Sequence, residues 1–154
     1  MDDERGIPTE GNRVTFQDDH CFVCGKENPI GLHLKFELDR ENHKAGSSVI
    51  FTKDHQGWDG VVHGGLLSSV MDDVMAYAVM TTDNLAVTTH MSVTFRKPVL
   101  VGEKLYLEGE VVKLTRRTAV TRAVAYVHDD ASDDGRIVMV EAEGTYFLDK
   151  PRGG

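Results

Sequence analysis

At 154 residues, 40% hydrophobic and 27% charged, the chain is long enough for one domain with its own core, and its composition excludes disordered and fibrous classes. A formal net charge of -8 leaves no basic footprint for nucleic acid, so any anionic ligand must meet a local cluster of Lys and Arg. No apolar run approaches the length of a membrane span, the start Met1-Asp2-Asp3-Glu4 lacks an apolar export segment, and two cysteines suit a reducing compartment, so a cytoplasmic protein without membrane insertion is expected.

Residues 1–19 are polar, carry Gly6, Pro8 and Gly11, and show no sustained period; they read as a flexible N-terminal arm before a single domain over 20–150. Cys21-x-x-Cys24, flanked by His20 with His33 downstream, supplies half of a tetrahedral zinc site. Reduced structural cysteines are the preferred reading, and neither a metal nor a cofactor is expected. From His33, the residues Leu34, Phe36 and Leu38 alternate with Lys35, Glu37 and Asp39, the period of a half-buried strand. Residues 40–46 form a turn and 47–52 a second short strand.

Gly60-Val61-Val62-His63-Gly64-Gly65 then opens an apolar-periodic run over 63–80. Leu66, Leu67, Val70, Met71, Val74, Tyr77 and Ala78 share one broad face at about 3.6 residues per turn. The opposite stripe carries Ser68, Ser69, Asp72, Asp73 and Ala76, bordered by Met75, Val79 and Met80, and its apolar border points to a covering partner. Uncovered backbone N–H groups at a helix start stabilise an anion, or an oxygen becoming one. Asp72, two to three turns further along, offers a nucleophile or base facing the same cleft. The pattern reads as acyl-group chemistry.

After Asp83-Asn84 the two-residue period returns. Val87, Thr89, Met91, Val93 and Phe95 alternate with Thr88, His90, Ser92, Thr94 and Arg96. Further strands are expected over 105–112, 119–127 and 137–147, joined by turns at 114–117 and 129–135. Two strands, one long helix and four more strands with short connections imply an α+β domain, its antiparallel sheet wrapped around the helix. One sheet face and both edges stay open, which favours dimerisation.

Three blocks carry a resemblance: His55 to Leu66 continued by Met71-Asp72-Asp73; Val87 to Pro98 with Gly102 after it; and Cys21-Phe22-Val23-Cys24-Gly25 with Asn28 to Leu32. From about His20 to Phe147 the chain resembles the hotdog-fold acyl-CoA thioesterases of the PaaI-like type, in the 4-hydroxybenzoyl-CoA thioesterase superfamily. The resemblance implies a hotdog fold of about five to six antiparallel strands around one helix. It also implies hydrolysis of an acyl-CoA to free acid and coenzyme A, in a homodimer or homotetramer whose active site lies between protomers. By the same resemblance Asp72 acts as nucleophile or general base, the Gly64 N–H as oxyanion donor, and Thr88 positions water or the carboxylate. Many members carry Asn six residues before the histidine; here that position is Gly57, and Gln56 is expected to supply the amide instead. His63 either fixes the loop or touches substrate. Gly65, Asp73, Trp58, Arg96 and Lys97 are expected at the substrate, the two basic residues at the phosphates of coenzyme A. Tyr77, Met75, Met80 and Trp58 are candidates for an acyl tunnel. A non-catalytic acyl-CoA binding or sensing protein is the alternative reading, whereas the His-and-acid pattern of hotdog hydratases is missing.

Overall fold

The computed structural model describes residues 19–149 together with the backbone of two short paired strands, β1 (Thr9–Glu10) and β2 (Arg13–Val14). The arm expected over 1–19 therefore lies almost wholly outside the described residues. Six further strands, β3 (Glu37–Asp39), β4 (Lys44–Ile50), β5 (Leu85–Phe95), β6 (Lys104–Leu114), β7 (Thr118–His128) and β8 (Arg136–Asp149), form one antiparallel sheet in the order β3-β4-β6-β7-β8-β5. One helix, α1 (Gly64–Met80), lies against it.

The helix is buried on more sides than its pattern indicated. Leu67, Val70, Met71, Val74, Met75, Ala78 and Val79 are all enclosed. Met75 and Val79, expected to border the outer stripe, are fully shielded from solvent, because the curled sheet wraps α1 past its first contact face. A row of small residues makes this wrap possible. Gly109, Ala123 and Ala142 stand opposite one another on β6, β7 and β8, all facing inward. A Cβ on Gly109 would sit 2.8 Å from the main-chain oxygen of Val74, so the helix rides in a trough that only a bare backbone leaves open.

The first expected strand is shortened. Leu34 is buried and Phe36 stacks on Tyr77 with ring centroids 4.2 Å apart, so their alternation did report an inward face. Their backbone, however, is spent elsewhere: Leu32 N–H donates to Phe22 O and Leu34 N–H to Val23 O, each at 2.8 Å. The segment closes down on the cysteine block rather than joining the sheet until Glu37.

Candidate active site

The loop before α1 is fastened at several points. A single 3-10 turn (Lys53–His55) is capped by Thr52 and by the His55 ring. Val62 N–H donates to Val99 O and His63 N–H to His55 O, both at 2.9 Å. His63 is thereby held in extended backbone as the N-cap of α1, and its Nδ1 accepts from Gly65 N–H at 2.9 Å. That bond requires an unprotonated Nδ1, so the neutral ring carries its proton on Nε2. Of the two glycines, Gly65 has lost its N–H to the cap. Gly64 N–H has no partner among the described residues and is the open donor at the positive end of the helix.

Gln56 and Gly57 belong to the same loop. Gln56 Oε1 accepts from Gly60 N–H at 3.0 Å, which closes the tight turn that places Gly60 at φ +76°. Gly57 abuts His63: a Cβ there would lie 3.3 Å from His63 Cα and 3.4 Å from Cδ2. A side chain at 57 would thus stand beside the histidine, and this chain has none.

Asp72 is half-buried on α1. Its Oδ1 accepts from Thr88 Oγ1 and from Tyr146 Oη, both at 2.8 Å. The Tyr146 hydroxyl shares its proton with the main-chain oxygen of Asp72 at 3.0 Å. Asp72 Oδ2 accepts no hydrogen bond among the described residues, so one carboxylate oxygen is clamped and the other open. Burial, reinforced by the charge of Asp72, drives the Tyr146 hydroxyl far above its usual range and keeps it a donor.

A bulge creates this clamp. Thr88 stands opposite Tyr146 and His90 opposite Thr145, so Thr89 is an extra residue in β5. In an unbroken strand Thr88 would share a face with His90 and Ser92. The bulge resets the alternation, so Ala86, Thr88, Met91 and Val93 all face the helix. Tyr146 was not among the residues singled out from sequence. It is 74 positions from Asp72, and its inward place on the last strand was the sole local signal.

Asp73 sits quite differently. It is tucked beneath residues 21–24, with Oδ1 4.0 Å from Cys21 Sγ and Oδ2 buried without a partner. Burial pushes its carboxyl up to about 6; contact with Cys24 opposes this and the charge of Asp72 adds to it. Burial also pushes the Cys24 thiol up to about 12, against a hydrogen bond with Tyr77.

The residues expected at the substrate are scattered. Trp58 is 84% exposed in the loop before α1, and Phe95 and Leu100 beside that loop are about half exposed. Arg96 is engaged with Glu141 at 2.7 Å, whereas Lys97 makes no ion pair among the described residues. Met75 is sealed in the core and cannot line a tunnel. Tyr77 is occupied between Phe36 and Cys24.

One distance governs the chemistry. Eight residues at a rise of about 1.5 Å put Gly64 about 12 Å from Asp72 along the axis. A nucleophile and an oxyanion donor must both reach one carbonyl group at about 3 Å. The two groups of one chain therefore cannot both reach the same carbonyl.

Comparison with known proteins agrees with the architecture. Residues 59–132 match the family model of the thioesterase superfamily. A protein of Archaeoglobus fulgidus provisionally named an esterase is 32% identical over 110 residues, covering 71% of this chain and 68% of that protein. Human acyl-coenzyme A thioesterase 13 is 28% identical over 71 residues, covering 45% of this chain and 51% of the relative. A crystal structure of a thioesterase superfamily protein superposes with a TM-score of 0.73 at 27% identity, covering 85% of this chain and 61% of that one. The chain thus spans between half and about two thirds of the length of these relatives.

Proposed function

Because the chain belongs to the thioesterase superfamily and has its hotdog fold, we propose that it hydrolyses an acyl-CoA thioester to free acid and coenzyme A, with Asp72 as the reacting carboxylate. The observation that carries this reading is the asymmetric clamp on Asp72, Oδ1 held by Thr88 and Tyr146 while Oδ2 stays open. A carboxylate needed only for solubility has no use for two hydroxyls converging on one of its oxygens. The name of the human relative supports the acyl-CoA class.

Asp72 Oδ2 attacks the thioester carbon directly, or takes a proton from a water that does so. Charge then develops on the carbonyl oxygen, and Gly64 N–H, fixed by the His63 cap, donates to it. A preorganised donor of this kind is worth about 3–4 kcal/mol of barrier. Collapse breaks the C–S bond and expels the thiolate of coenzyme A. If Asp72 has attacked, water then cleaves the acyl-enzyme anhydride and restores the carboxylate. Gln56, held through its Oε1, presents its amide nitrogen as a second donor beside Gly64, and Lys97 meets the phosphates.

The separation of Gly64 and Asp72 makes the working unit a homo-oligomer, in which Gly64 of the partner subunit faces Asp72. β5 forms the sheet edge beside Thr88 over 11 residues, and an edge of that length is ordinarily covered. The exposed Trp58, Phe95 and Leu100 add apolar surface at the helix start for a partner to bury.

Thiol release measured over short, medium, long and aryl acyl-CoAs tests the reading. Asp72→Ala should lower turnover on the best substrate by a factor on the order of 10³ or more with the fold retained. Unchanged hydrolysis in that variant, or acyl-CoA binding by the wild type with no thiol released from any substrate, overturns it.

A further inference from the structure

Cys21, Cys24 and Asp73 have no part in the chemistry above, yet their donor atoms converge. The turn Cys21-x-x-Cys24-Gly25 is tight: Gly25 N–H donates to Cys21 O at 2.8 Å, and Cys24 N–H points at Cys21 Sγ at 3.4 Å. A Cβ at Gly25 would fall 2.4 Å from both Cys21 N and Asp19 O, so only glycine permits the turn. That N–H, aimed at Cys21 Sγ, favours the thiolate of Cys21, the form that ligates metals. The third donor comes from α1. Asp73 Oδ1 lies 4.0 Å from Cys21 Sγ, and the two sulfurs and the carboxylate all lie within 4.8 Å of one another.

A second, independent sign is the orphaned oxygen. Asp73 Oδ2 is buried and has no hydrogen-bond partner, and among the described residues no Lys or Arg pairs with this carboxylate. A buried polar atom left unpaired costs about 1–3 kcal/mol, and more when it is charged. A cation held by this carboxylate compensates its buried charge and offsets that cost. Tetrahedral zinc, with Zn–S of about 2.3 Å and Zn–O of about 2.1 Å, sets S–O edges of about 3.6 Å, so the 4.0 Å between Cys21 Sγ and Asp73 Oδ1 needs a contraction of only about 0.4 Å, and the remaining edges, all within 4.8 Å, need at most about 1 Å.

We propose that Cys21, Cys24 and Asp73 bind a divalent, thiophilic cation, zinc by its donor set, which clips the N-terminal cysteine block onto α1 one residue beyond Asp72. Two thiolates and one carboxylate select zinc over magnesium or calcium. The fourth position is left to solvent: His33, a candidate ligand from sequence, turns its Nε2 to Asn28 O at 2.6 Å. The clip is structural and independent of the reaction assigned to Asp72, although it fixes the register of α1 at that residue.

Titration of reduced, chelator-stripped full-length protein with Co²⁺ and then Zn²⁺ tests the site. A thiolate-to-cobalt charge-transfer band saturating at about one equivalent per chain, bleached by Zn²⁺, is expected. Zn²⁺ should also slow alkylation of both thiols at least about tenfold, a readout that needs no variant and no activity. Cys24→Ser should abolish the saturating band, and Asp73→Asn should weaken Zn²⁺ binding at least about tenfold while both thiols remain. The proposal is overturned if the wild type shows no charge-transfer band and its thiols react equally fast with and without Zn²⁺. Unchanged Zn²⁺ affinity in Asp73→Asn likewise removes the carboxylate from the site and overturns it as stated.

Discussion

In the proposed reaction Tyr146 positions the carboxylate of Asp72 without touching the substrate. Its hydroxyl donates to Asp72 Oδ1 and lies against the Asp72 main-chain oxygen, so it sets both the rotamer of the carboxylate and the local backbone. A hydrogen bond to a charged group is worth about 1.5–3 kcal/mol. Tyr146→Phe should therefore lower kcat by about 10-fold or more with KM little changed, as steady-state thiol release against acyl-CoA concentration will show. A shift confined to KM would mean that Tyr146 shapes the binding site instead. The clamp was half legible in the sequence. Thr88 could be named because it follows the helix at a recognisable place in a recognisable strand. Tyr146 could not, because its pairing with Thr88 depends on the register of β5 against β8 and on the bulge at Thr89.

At the level of elements, the trough beneath α1 decides how closely helix and sheet approach. Gly109 lies across from Ala123, and any added Cβ would meet the main-chain oxygen of Val74 rather than a side chain that could turn away. Gly109→Ala should therefore destabilise the fold by about 1–3 kcal/mol. This corresponds to a drop in Tm of roughly 3–9 °C, measurable by calorimetry. An unchanged Tm would mean that α1 shifts along the sheet at no cost. The sequence pattern located α1 within one residue and five of its seven buried positions. It missed Met75 and Val79, because a helical period reports one face and the curl of the sheet encloses more than one. The strand expected from Leu34 to Asp39 begins only at Glu37 for a related reason: alternation reports which side chains are buried, not which backbone partner takes the hydrogen bonds.

The whole molecule is where the separation of Gly64 and Asp72 has its consequence. Gly64 occupies the first helical position after an extended His63 (ψ 131°), where proline is well tolerated, so Gly64→Pro deletes the donor while keeping the helix. Alone it should lower kcat about 10²–10³-fold. Mixed with Asp72→Ala and allowed to exchange subunits, it should restore activity to about a quarter of wild type, since half of the dimers are mixed and each of those carries one intact shared site of two. Activity that stays at the level of the separate variants would place both groups in one chain's site and overturn the shared arrangement.

The chain by itself determined the class of fold and the glycine start of the helix, because periodicity, turn chemistry and spacing are local properties written in consecutive residues, while Asp72 was singled out through the resemblance of its surroundings to a known family. Only the tertiary structure decided that Thr88 and Tyr146 share one oxygen of Asp72, and that Asp73 turns away toward Cys21 and Cys24. The physical reason is that strand register, a one-residue bulge and the packing of the cysteine block on the helix act between segments far apart in sequence, where no local pattern records them.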